Sequence, residues 1–116
     1  MKTVIKRDGR EVAFDSEKVR SAIRKAFFAV DGEVSSYAEE KANNISRYIE
    51  ELDEDTLTVE DVQDYVENGL MASKRKDVAR AYISYRNERS RERNRQDHIR
   101  QAIKEKLDGQ KNDRQN

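Results

Sequence analysis

The sequence predicts a mostly helical α+β fold, a four-helix bundle capped by a small N-terminal β-hairpin or three-stranded sheet. Three observations predict it. Apolar residues recur at helical spacing in four successive stretches, while the only β-branched run beside a tight-turn signal lies in the first fourteen residues. Proline is absent and only four glycines occur, so long helices can run without interruption.

Each element follows in order. Thr3-Val4-Ile5 and Val12-Ala13-Phe14 are short apolar runs that flank Lys6-Arg7-Asp8-Gly9-Arg10. Asp-Gly between two such runs signals a hairpin, because glycine accepts positive φ without steric cost. The first helix is capped by Asp15 or Ser16, carries its stripe on Val19, Ala22, Ile23, Ala26, Phe27 and Val30, and ends at Asp31-Gly32. The second begins at Ser36, with Glu39 three residues on as a capping box. Its buried face is Ala38, Ala42, Ile45, Ile49 and Leu52. The acidic run Glu50 to Asp55 reads as a solvated loop, since its carboxylates lack calcium-loop spacing. Leu57 is a candidate for a third, very short strand. Thr58 caps the third helix with Asp61 at its third position, and Val59, Val62, Val66 and Leu70 mark the face, with Tyr65 beside them. A turn at Ala72-Ser73-Lys74 leads to a fourth helix with Val78, Ala79, Tyr82, Ile83 and Tyr85. A weaker amphipathic helix holds Ile99, Ala102, Ile103 and Leu107. Four stripes of this kind bury one another as a bundle, and the hairpin must cap it, since a lone hairpin is marginal.

Composition excludes several function classes. The chain has 116 residues, 41% of them charged, and a mean hydropathy of −1.15. No apolar run is long enough for a transmembrane helix, and the charged N-terminus does not read as a secretory signal. Without cysteine there is no disulfide, thiolate zinc site or iron–sulfur cluster, and the single histidine, His98, is too few for a histidine metal site. A cytoplasmic location is expected. No P-loop and no Gly-x-Gly-x-x-Gly occurs. No nucleophile–base pair can be assembled, so these residues alone are expected to bind rather than catalyse. The net charge of zero hides an asymmetry: residues 1–85 hold 14 Lys/Arg against 18 Asp/Glu, and residues 86–116 hold 10 against 6. Residues 1–90 are read as the packed domain and 91–116 as a charged helical or disordered extension, with the end from 108 to 116 disordered.

Anion binding is the remaining chemistry. Lys6, Arg7 and Arg10 lie on the hairpin turn, and the first helix starts directly after Phe14. A helix N-terminus attracts phosphate through free N–H groups and its partial positive charge. Lys18 in the first turn opposes the helix dipole, and a bound polyphosphate would account for it. Lys6, Arg7 and Lys18 can therefore surround one phosphate chain, or all three can be solvated surface charges. The stretch Arg86 to Arg95 is a second basic candidate, for a nucleic-acid backbone. Its interleaved Glu88 and Glu92 instead fit i,i+3 pairs on a solvated helix.

Three segments in order carry a resemblance. Val4-Ile5-Lys6-Arg7-Asp8-Gly9 with Phe14-Asp15-Ser16-Glu17-Lys18-Val19, then Val59 to Leu70, then Ala79 to Arg86, together resemble the ATP-cone family over residues 2–90. The resemblance implies a regulatory domain that binds ATP or dATP and controls the overall activity of a ribonucleotide reductase through a population shift between assembly states. It also implies a helical bundle capped by three strands, in agreement with the reading above. Carried over by position, it makes Lys6, Arg7 and Lys18 phosphate ligands, with Val4 near the adenine through its backbone. Asp15 comes near the ribose or the metal-bound phosphates, Val59 and Gln63 line the base pocket, and Arg89 is a basic residue reaching the phosphates. Position 12 is Val where some relatives have an acidic residue. The Leu70-Met71-Ala72-Ser73 turn and Tyr82-Ile83-Ser84-Tyr85-Arg86 resemble the anaerobic, class III reductases most. On that basis the expected ligands are ATP or dATP with Mg²⁺ and no protein-bound metal. The expected partners are a catalytic domain of the same chain and further copies in a homo-oligomer, with no membrane. The alternative is a basic helical nucleic-acid or protein-interaction module using Arg86 to Arg100.

Overall fold

The computed structural model describes the backbone of residues 1–115 and the side chains of residues 1–108. Of the expected disordered end over 108–116, Asp108 is helical, the side chains of 109–115 are not described and Asn116 lies outside the described residues. The elements are β1 (Thr3–Ile5), β2 (Glu11–Ala13), α1 (Ser16–Asp31), α2 (Ser36–Glu50), β3 (Thr56–Thr58), α3 (Val59–Met71) and α4 (Lys76–Gln115). One compact unit covers Met1–Ser84 and a second begins at Tyr85.

Hairpin chemistry sets the sheet. Gly9 N–H donates to the Lys6 carbonyl at 2.9 Å and Lys6 N–H to the Arg10 carbonyl at 2.8 Å. Gly9 has φ +88°, the left-handed region that a side chain would disfavour. This closure places Ile5 opposite Glu11, so β2 spans Glu11–Ala13 rather than the expected Val12 to Phe14. The third strand is real: β3 joins β1 in parallel, with Ile5 opposite Thr58, and the sheet order is β2-β1-β3. Lys2 secures this edge by donating its ammonium to the carbonyls of Leu52 and Glu54 beyond α2.

The helices end where their chemistry dictates. The Asp15 carboxylate caps α1 by accepting from Glu17 N–H, and Gly32 at φ +73° closes it with a bond to the Phe28 carbonyl. Thr58 and Asp61 form the expected reciprocal capping box of α3, each bond 3.0 Å. The cap of α2 is Ser35, which accepts from Ala38 N–H, and not Ser36. Glu39 is thereby released from a capping box and takes Arg24 of α1 at 2.8 Å. No break separates the expected fourth helix from the weaker one after it. The two are a single helix, α4, because residues 86–98 contain neither glycine nor proline and Glu92 pairs with Arg95 at 2.7 Å along it.

The core lies within the first unit. Ile23, Phe27, Ala38, Ala42, Ile49, Leu70, Val78 and Ala79 are fully buried, and Leu57 and Val66 nearly so. Each large side chain among them contributes about 1.5–3 kcal/mol by leaving water. Phe27 meets the edge of Tyr37 with centroids 6.1 Å apart. The ends of two expected stripes, Val30 and Tyr85, are exposed.

Candidate functional site: a cationic cleft along the second strand

α1 follows β2 after only Phe14 and Asp15, so the strand and the helix N-terminus share one surface. An open cleft of about 610 Å³ runs there, lined by Lys6, Arg10, Val12, Ala13, Phe14, Asp15, Ser16 and Lys18. Its volume falls in the range of small-molecule pockets. Three cations and one carboxylate face an apolar strip supplied by β2. The helix end is held in place from below. Buried Ser46 of α2 donates to the Ser16 carbonyl at 3.4 Å and accepts from Arg20 at 3.5 Å. Glu17 binds both Arg20 and Arg24, whose hydrogen bonds hold its carboxyl below the usual carboxylate range.

Charge satisfaction differs sharply around the cleft. Among the described residues, Lys6 and Lys18 make no ion pair within 4.0 Å. Arg10 pairs with Asp8 through Nε at 2.7 Å, and Asp8 also accepts from Arg10 N–H at 3.1 Å. That backbone bond, followed by the side-chain bond, lowers the Asp8 carboxyl from its ordinary value. Asp15 spends one oxygen on the α1 cap, 3.0 Å from Glu17 N. Unlike the lysines, Arg7 is engaged elsewhere, its Nε 3.0 Å from Glu60 in the first turn of α3.

Of the residues singled out from the sequence, the cleft unites Lys6, Asp15 and Lys18. Val4 sits in the central strand between Val12 and Leu57. Val59 and Gln63, half-buried, lie in the first turns of α3, directly after β3, and are not among the residues lining the cleft. Arg7 reaches that helix through Glu60. Arg89 belongs to the second unit, where its guanidinium lies 5.8 Å from the Tyr85 ring and donates to the Tyr85 hydroxyl at 3.3 Å. Sequence reasoning noted Arg10 on the turn, Val12, Phe14 and Ser16 but gave none of them, nor Ala13, a place in the site. The signal for them was the direct run of strand into helix, with Arg10 immediately after Gly9. Among the described residues no group of three or more His, Asp or Glu is placed to hold a metal, and no helix is long and apolar enough to cross a membrane.

Comparison with known proteins gives a consistent picture. Residues 2–91 match the family model described as the ATP cone domain. The chain is 35% identical over 101 residues to the anaerobic ribonucleoside-triphosphate reductase of Escherichia coli, a match covering 87% of this chain and 14% of that protein. It is 38% identical over 94 residues to the vitamin B12-dependent ribonucleoside-diphosphate reductase of Thermoplasma acidophilum, covering 77% and 12%. The alpha subunit of the ribonucleoside-diphosphate reductase of Chlamydia pneumoniae is 34% identical over 98 residues, covering 78% and 9%. The chain thus spans about one-seventh or less of the length of these relatives.

Proposed function

This chain belongs to the ATP-cone domain family, and from that premise we propose that it binds ATP or dATP as allosteric effectors and sets the overall activity of an anaerobic ribonucleoside-triphosphate reductase. The observation that carries the proposal is the cleft itself. Two lysines without ion pairs among the described residues, Lys6 and Lys18, line it at the N-terminus of α1. A lysine in the first turn of a helix opposes the helix dipole, and a polyphosphate at that end reverses the sign of the interaction.

Lys6 and Lys18 are the proposed phosphate ligands. Arg7 joins them by exchanging Glu60 for phosphate. Asp15 offers its remaining carboxylate oxygen to the ribose or to a Mg²⁺ ion that arrives with the phosphates, whose other ligands are phosphate and water. Val4, Val59 and Gln63 are the proposed seat of the base. ATP and dATP differ by one hydroxyl, so for the two to have opposite effects on activity each must favour a different assembly state of the parent protein. The parent's catalytic domain and further copies of the chain are the proposed partners in that shift.

Calorimetric titration with ATP and then dATP in the presence of Mg²⁺ tests the reading. Binding of both with Kd on the order of micromolar is expected, with Lys6→Ala weakening each about tenfold or more. No heat from a chain shown by circular dichroism to be folded would sink it.

A further inference from the structure

The hairpin turn presents two arginines, and the structure uses them differently. Arg7 reaches the first turn of α3 and pairs with Glu60. Arg10 lines the cleft, with Lys6 beside it on the turn and Lys18 at the helix end. Its side chain is 70% exposed, so phosphate reaches it at little desolvation cost. Asp8 holds it at two points, the backbone N–H at 3.1 Å and Nε at 2.7 Å. A guanidinium bound at Nε still has both terminal nitrogens, and these make no hydrogen bond among the described residues.

We propose that Arg10 is a phosphate-binding residue of the cleft, positioned by Asp8, and that it makes the cleft select nucleoside triphosphates over monophosphates. The inference rests on the nucleotide-binding reading above and adds a ligand that the family resemblance did not assign. The chemistry requires arginine. Its planar fork keeps Asp8 on one edge and offers two parallel N–H donors to phosphate oxygens on another. A lysine has one ammonium and must divide it between Asp8 and the ligand. The charge balance points the same way. The lining carries Lys6, Arg10 and Lys18 against Asp15, a net of two positive charges, and loss of Arg10 halves it. A triphosphate, with the greater charge, feels that loss more than a monophosphate does.

The test is titration of the wild-type chain and of Arg10→Ala and Arg10→Lys with MgATP and with AMP, alongside thermal melts. Arg10→Ala is expected to melt with the wild type, to lose about tenfold in ATP affinity and to lose about twofold or less for AMP. Arg10→Lys is expected to recover only part of the ATP affinity. Wild-type affinity for ATP in Arg10→Ala overturns the inference, and so does an equal loss for ATP and AMP, which marks a merely structural residue. Full ATP affinity in Arg10→Lys overturns the positioning by Asp8. If the wild type itself binds no ATP, the nucleotide reading fails and this inference goes with it, an outcome distinct from wild-type binding that Arg10→Ala leaves intact.

Discussion

Arg75 shows how much one residue can join. Its terminal nitrogens take both oxygens of Asp31 at the end of α1, at 2.9 and 2.6 Å. The same guanidinium binds Asp77 in the first turn of α4 at 3.1 and 3.0 Å and lies 5.8 Å from the Phe27 ring centre. Hydrogen bonds from Arg75 hold the carboxyls of Asp31 and Asp77 below their ordinary value of 3.8. A carboxyl depressed in the folded state stabilises above its unfolded value, and that contribution disappears as pH falls through the folded one. The urea midpoint of the wild type is therefore expected to drop as pH falls through and below the ordinary carboxylate value, and that of Arg75→Ala to drop less. Equal drops in the two chains would show that Asp31 and Asp77 gain nothing from the pairing. Residue-level chemistry was uneven in its legibility. The Thr58–Asp61 box can be read from spacing alone, whereas Ser35 and Ser36 are both competent caps, and only the path of the α1–α2 turn chooses Ser35.

Elements meet through shape, and Gly69 is where that shape is tightest. A Cβ built on Gly69 of α3 meets Ile45 Cγ1 at 2.8 Å and Cδ1 at 2.9 Å, closer than real side chains approach. Alanine would favour the helix by about 0.5–1 kcal/mol, but overpacking costs about 1–3 kcal/mol. The collision wins, and Gly69→Ala is expected to lower stability by about 1 kcal/mol in chemical denaturation. A Gly69→Ala chain as stable as the wild type would mean that the Ile45 side chain turns aside, or the helices part, without cost. Periodicity revealed which faces of α2 and α3 are apolar. It could not reveal that a glycine, with no side chain to count in any stripe, sets how near the two helices come. The same limit applies to α4. Two stretches of apolar positions separated by a polar run suggest two helices, yet a charged run without glycine or proline continues one helix through Lys76–Gln115.

On the scale of the whole molecule, every core residue falls between Val19 and Tyr82. Removal of residues 91–116 therefore leaves the core complete. A chain ending at residue 90 is expected to unfold in one cooperative transition within a few degrees of the full chain and to keep its ATP affinity. Loss of cooperative unfolding on truncation would show that the extension is part of the folding unit. The sequence by itself determined the fold class, the hairpin, the cap of α3, the cationic hairpin turn and the family, because each is written in local chemistry or in ordered motifs: Asp8-Gly9 for the turn, Thr58 with Asp61 for the cap, and the helical repeat of apolar residues for the bundle. Tertiary structure alone decided the parallel pairing of β3 with β1, the turning of Arg7 towards Glu60, and the placing of Arg10 rather than Arg7 on the wall of the cleft. The first two of these join residues about fifty positions apart. Of the two arginines on one turn, Arg10 is held by its neighbour Asp8 and Arg7 by Glu60 of α3, and only the second contact needs distant parts of the chain to meet.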